Sequence, residues 1–120
     1  LARIARLGLK SGIVLMVDTP VSRAAPFVDR IDMLTLLGTR IGIKGVGLAD
    51  DAPHRLHEAQ KLLAAGRGRR RIVLAADGGI RDSTVPILRR AGAEAIVMGS
   101  LAFGAEDLSA RMAWVHALQA

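Results

Sequence analysis

"RIVLAADGGIRDSTVPILRRAG", residues 71–92, holds one complete strand-and-helix unit, and its junction decides how the chain is read. Arg71–Ala76 is an apolar run of strand length, and a helix follows from about Ser83 or Thr84 to Arg90, stopping at Gly92. Between them stand an acid and two glycines, Asp77, Gly78 and Gly79. A buried strand that ends in this way puts polar chemistry, and backbone able to take unusual angles, at one strand tip.

The same alternation extends to both sides. Leu1–Gly8 carries Leu1, Ile4 and Leu7 at helical spacing and ends on a glycine. Gly12–Val17 is a continuous apolar strand, after which Thr19 is expected to cap a short helix opened by Pro20 and bent by Pro26. Ile31–Leu37 forms the second strand, followed by a glycine-rich loop over Gly38–Gly47. A helix capped by Asp50 or Asp51, with Pro53 in its first turn, runs to Gly66. "AEAIVMG", residues 93–99, is the fourth strand, and "AEDLSARMAWVHAL", residues 105–118, closes the order α-β-α-β-α-β-α-β-α. No break in composition marks a linker, so residues 1–120 read as a single α/β domain with a parallel sheet and right-handed crossovers. Folds of this kind bind ligands at the carboxyl ends of their strands, where the glycines and acids of this chain lie.

Composition narrows the function classes. Hydrophobic residues are 51% of the chain and aromatics only 2%, so the core must be aliphatic. No cysteine is present, which removes disulfides and thiolate zinc sites and fits a reducing cytoplasm. No apolar run reaches the roughly 18 residues of a membrane span, so no membrane partner is expected. The net charge of +6 is compatible with an anionic ligand. Its densest run, Arg67–Arg71, has no interleaved aromatics for base stacking and reads as a solvated loop, so nucleic acid is not expected either.

Two roles are open to Asp77. At the mouth of the fold its carboxylate can take a proton from carbon beside a carbonyl or hold a divalent cation; equally, it can shape the turn through Gly78 and Gly79. Those glycines let backbone N–H groups approach an anion, and Gly99 and Ser100 offer the same one strand later, ahead of a short helix in "LAFGAED". Glycine-rich tips after two successive strands make a phosphate cup. His54 and His57 stand three apart, but on an outer helix expected to lie away from the strand tips, and His116 is expected to face solvent. Met112 and Trp114 read as helix packing, and Asp18 as part of the "DTP" turn.

At this point the chain resembles a known family. "VLAADGGIRDSTVPILRRAGAEAIVMGSLAFGAED" is similar to the end of the ribulose-phosphate 3-epimerases, and "SGIVLMVDTPVSRAAPFVDRIDMLTLLG" to two earlier strands of that family. The resemblance implies strands five to eight, the C-terminal half, of a ribulose-phosphate-binding TIM (β/α)8 barrel. Leu1, rather than Met, inside what reads as a helix fits a piece of something longer. It further implies D-ribulose 5-phosphate to D-xylulose 5-phosphate interconversion with a divalent cation of the Zn, Fe, Mn or Co type, held by two His and two Asp. Of those ligands only the later Asp carries over, onto Asp77, which is implied as both metal ligand and acid–base group. Phosphate binding carries over onto Gly78, Gly79, Gly99 and Ser100.

The loop "LLGTRIGIKGVG" departs from the family's "M.VNPGFGGQ". Gly42 and Gly45 match loop glycines, Lys44 replaces another, and Arg40–Ile41 stand for Asn-Pro. Gly45 and Lys44 are therefore expected near the phosphate, Lys44 as a point charge, while Arg40 reads as a solvated loop residue. The change keeps other phosphate-binding barrel enzymes open, such as a hexulose-phosphate synthase or a phosphosugar isomerase. Four parallel strands leave edges and an apolar face that would seek either the missing N-terminal half-barrel or a second copy.

Overall fold

A computed structural model describes residues 1–43, 45–66 and 71–119. The elements, in chain order, are α1 (Ala2–Arg6), β1 (Gly12–Leu15), a 3₁₀ segment (Val21–Arg30), β2 (Met33–Leu37), α2 (Ala52–Ala64) and β3 (Val73–Asp77). They continue with α3 (Val85–Arg90), β4 (Ala95–Val97), α4 (Ser100–Phe103) and α5 (Leu108–Ala117). All four strands pair in parallel in the order β1-β2-β3-β4. The parallel α/β class is thus as the alternation of strand and helix predicts.

Strand side chains alternate between faces, so the register sorts the sheet into two surfaces. Leu15, Leu36 and Ala76 are aligned partners, as are Leu34 and Leu74, and all five are buried. This face meets the core, where Val21 and Ala24 of the 3₁₀ segment, Leu56 and Ala59 of α2 and Leu88 of α3 are also buried. Each such leucine contributes about 1.5–3 kcal/mol by leaving water. The opposite parity, Met33 with Val73, Val14 with Thr35, and Leu37 with Asp77 and Val97, forms the other face. There Val14 is 59% exposed, Val97 52% and Met33 40%. Thr35 and Ala75, in the middle of the same face, are buried, so its exposure lies toward Val14, Met33 and Val97.

Helix boundaries follow capping chemistry, with two corrections. Thr19 does not cap the segment after β1; Pro20 holds that position, with extended backbone, and the helix is 3₁₀, which suits the absent N–H of Pro26. Asp51 precedes α2 without a side-chain capping bond. Its backbone is already helical (φ −85°, ψ −2°), which turns the carboxylate away, and Pro53 has no N–H to offer. At α5 the extended Asp107 (φ −128°) accepts from Ala110 N at 3.0 Å. Strand β1 stops at Leu15, short of Val17, because the Met16 carbonyl turns to accept from Thr19 N at 3.0 Å. No described helix is long and apolar enough to cross a membrane.

Candidate functional site

The carboxyl ends of β3 and β4 enclose a hollow of about 270 Å³ lined by Asp77, Gly78, Gly79, Arg81, Gly99 and Ser100, among others. Asp77 is the last residue of β3, and its parity with Val73 and Ala75 sets its side chain on the partly exposed face. Its carbonyl accepts from Gly38 N at 2.7 Å, tying the β2 and β3 tips together. Its carboxylate is half-buried and, among the described residues, makes no hydrogen bond or ion pair.

Gly78 has φ +87°, and a Cβ there would collide with Thr39 Oγ1, so both conformation and space demand glycine. The chain then turns on Thr84, whose hydroxyl donates to the Gly79 carbonyl at 2.6 Å and accepts from Arg81 N at 2.9 Å. Buried Ile80 anchors the same loop in the core. Across the hollow, Gly99 (φ +46°, ψ −119°) opens α4. That helix is a single turn, so its dipole is small; what it presents is free N–H groups. Among the described residues no acceptor takes the N–H of Gly79, Gly99 or Ser100.

The site therefore combines one free carboxylate with several unpaired backbone donors, which is chemistry for a base beside an anion. The expected phosphate contacts in the loop after β2 are not among the described lining residues. Gly45 is not among the lining residues, although Val46 is, and Lys44 lies outside the described residues.

A divalent cation needs several oxygen or nitrogen donors. Among the described residues no group of three or more His, Cys, Asp or Glu stands together, and Asp77 is the one such described residue lining the hollow. The metal implied by the resemblance does not fit these residues alone.

The loops around the site hold further contacts. Arg40 is exposed, as expected, but it grips Asp18 through Nη1 and Nη2, the longer contact being 2.9 Å. Asp18 thus links the loops after β1 and β2, in addition to lying in the "DTP" turn. His54 was expected far from the strand tips, yet it shares a shallow hollow with Asp18 and Thr19. Helix α2 starts beside the β1 tip, and His54 sits in its first turn. His57 and His116 are exposed. Arg71, the one described residue of the basic run Arg67–Arg71, is exposed and bonds Glu94 at 2.7 Å. That hydrogen bond and the Glu94 charge raise its pKa above the ordinary arginine value.

Sequence reasoning missed Arg55, Arg81 and Thr84. Arg55 is 6% exposed and donates from Nη2 to the Met16 and Thr19 carbonyls at 2.8 Å, and from Nη1 to the Leu37 carbonyl at 3.4 Å. It joins the ends of β1 and β2. The available signal was spacing: position 55 falls on the buried α2 stripe with Ala52, Leu56 and Ala59, where a cation needs a reason.

Comparison with known proteins identifies the architecture's relatives. The description of the ribulose-phosphate 3 epimerase family matches residues 1–103. This chain belongs to that family. The ribulose-phosphate 3-epimerase of Serratia marcescens is 32% identical over 101 residues, which is 83% of this chain and 47% of that protein. The Bacillus subtilis (strain 168) ribulose-phosphate 3-epimerase is 29% identical over 100 residues, 83% of this chain and 46% of that protein. The chloroplastic ribulose-5-phosphate-3-epimerase of Arabidopsis thaliana is 30% identical over 105 residues, 88% of this chain and 37% of that protein. The chain spans about half the length of the curated relatives it matches. Family membership and the parallel α/β architecture agree with each other.

Proposed function

We propose that this chain is the C-terminal half of a (β/α)8 barrel, strands five to eight, whose complete form epimerises a phosphorylated ketose at C3. The D-ribulose 5-phosphate to D-xylulose 5-phosphate reaction is the leading candidate, because the curated relatives bear that name. The observation that carries the reading is the hollow in which a free carboxylate, Asp77, faces unpaired N–H groups from two loops.

In this reading the N–H groups of Gly79, Gly99 and Ser100 bind the phosphate and fix the distance from it to C3. That restraint converts a chance encounter into an oriented one. The Asp77 carboxylate takes the proton from C3; the C–H electron pair becomes the enediolate, with negative charge on the C2 oxygen. A second acid, outside the described residues, returns a proton to C3 on the opposite face, inverting that centre. The polar backbone around the hollow is fixed before the charge develops, which lowers the barrier without reorganisation. A divalent cation would have to be assembled with donors beyond the described residues.

The partly exposed sheet face supports the half-barrel reading. We propose that four further strand–helix units cover it in the working enzyme, and that pairing with a second copy is the alternative. The altered loop after β2, with Arg40 tied to Asp18, favours a second reading of the substrate. It keeps a hexulose phosphate or another phosphosugar in contention, and turnover measured over a panel of pentulose and hexulose phosphates decides between them.

The direct test replaces Asp77 with Asn in the full-length protein. Proton–deuterium exchange at C3 and epimerisation should both fall at least about 1,000-fold, within the range that loss of an acid–base group produces, while the melting temperature stays put. Turnover close to the parent's would remove Asp77 from the mechanism.

A further inference from the structure

The acid that makes the hollow reactive also makes it a poor place for phosphate, since the two negative charges repel in a partly desolvated space. Unpaired N–H groups offset part of this, as partial charges only. Among the described residues lining the hollow there is one cationic side chain, that of Arg81. Arg81 is exposed, and its guanidinium makes no hydrogen bond or ion pair with any described residue. Its backbone is held: Arg81 N donates to Thr84 Oγ1, and Ile80 beside it is buried. With the main chain already fixed, binding an anion has only the Arg81 side chain left to order, at roughly 0.5–1.5 kcal/mol, and the free guanidinium has no existing partner to give up.

We propose that Arg81 is the charged ligand of a phosphate monoester in this hollow and counters the field of Asp77. The inference rests on the phosphate reading of the hollow given above and adds the residue that sets its affinity. Glycine N–H groups recognise an oxyanion of any charge; a guanidinium favours the doubly charged form by direct ion pairing. Arg81 thus makes the site selective for a phosphate dianion over a neutral or singly charged group.

The test is a titration of the full chain with inorganic phosphate, followed through the amide resonances of Gly79, Gly99 and Ser100. These should shift and saturate. In Arg81→Gln the same resonances should shift with an affinity about tenfold weaker, as expected for losing one charged hydrogen-bond partner. Arg81→Lys should fall between, keeping the charge without the fork. Arg90→Gln, which removes the same charge from an exposed position at the far end of α3, should match the parent. Equal weakening by Arg90→Gln would assign the effect to net charge and overturn the proposal. An Arg81→Gln affinity equal to the parent's would also overturn it, leaving the phosphate hollow intact. Amides of the parent protein that do not respond would sink both the hollow as a phosphate site and the role of Arg81.

Discussion

Replacing Arg55 with methionine asks whether a buried cation holds the site's floor together or burdens it. The guanidinium is 6% exposed and has no carboxylate partner among the described residues; its contacts are the carbonyls of Met16, Thr19 and Leu37. Burying such a charge costs several kcal/mol, which methionine would avoid while keeping most of the apolar stem. Against that stand two contacts of 2.8 Å and one of 3.4 Å. Hydrogen bonds involving a charged group are worth about 1.5–3 kcal/mol each, and a buried acceptor left alone costs about 1–3 kcal/mol. The Met16 carbonyl keeps its bond from Thr19 N, so the main losses are at Thr19 and Leu37. We expect Arg55→Met to lose about 2–3 kcal/mol in urea unfolding, with an unchanged slope. Arg55→Lys should recover only part, because an ammonium on a flexible stem cannot fork across two loops. Amide exchange at Thr19 should accelerate in both variants, since its partner carbonyl is no longer fixed. An Arg55→Met protein as stable as the parent would show that desolvation outweighs the three bonds and refute the reasoning.

Two further comparisons isolate single physical causes. Gly78→Ala meets both a positive φ and the Thr39 hydroxyl, whereas Gly99→Ala meets a positive φ in open space. At φ +46°, ψ −119° an alanine occupies a sparsely populated backbone region, so Gly99→Ala should lose about 1–3 kcal/mol of unfolding free energy and Gly78→Ala clearly more; equal losses would mean the collision relaxes freely. The paired aspartates ahead of α2 and α5 should likewise separate. Asp107→Ala removes a real capping bond and should lose about 1 kcal/mol, while Asp51→Ala, with no bond to remove, should stay within about 0.5 kcal/mol by the same denaturation measurement.

The parts of this molecule that were legible in its sequence are those governed by local rules. Alternating aliphatic runs and amphipathic stretches give four parallel strands in sequential order. The junctions Asp77–Gly78–Gly79 and Gly99–Ser100 are visible for the same reason, since each needs only its own residues to define a turn. Arg55, Arg81 and Thr84 were not visible, because their roles depend on residues distant in the chain or on a loop path that sequence does not specify. Arg55 reaches back 36 and 39 positions to its carbonyls. Thr19 and Asp51 show the converse error: Thr19 stands one residue before the cap position, which Pro20 takes, and Asp51 holds the cap position with a helical backbone and makes no side-chain bond to an N–H.

Period-two parity carries one step further than motif reading. Val73, Ala75 and Asp77 must share a face, and Leu74 and Ala76 belong to the helix-covered core, so Asp77 necessarily projects on the partly exposed side. The row that holds it also holds Leu37 and Val97, continuous with exposed Val14 and Met33. Whatever removes those apolar side chains from water must therefore approach the same surface as the carboxylate. Under the half-barrel reading, completing the core and enclosing the acid are one event, and the hydrophobic free energy that closes the sheet also lowers the dielectric in which Asp77 works.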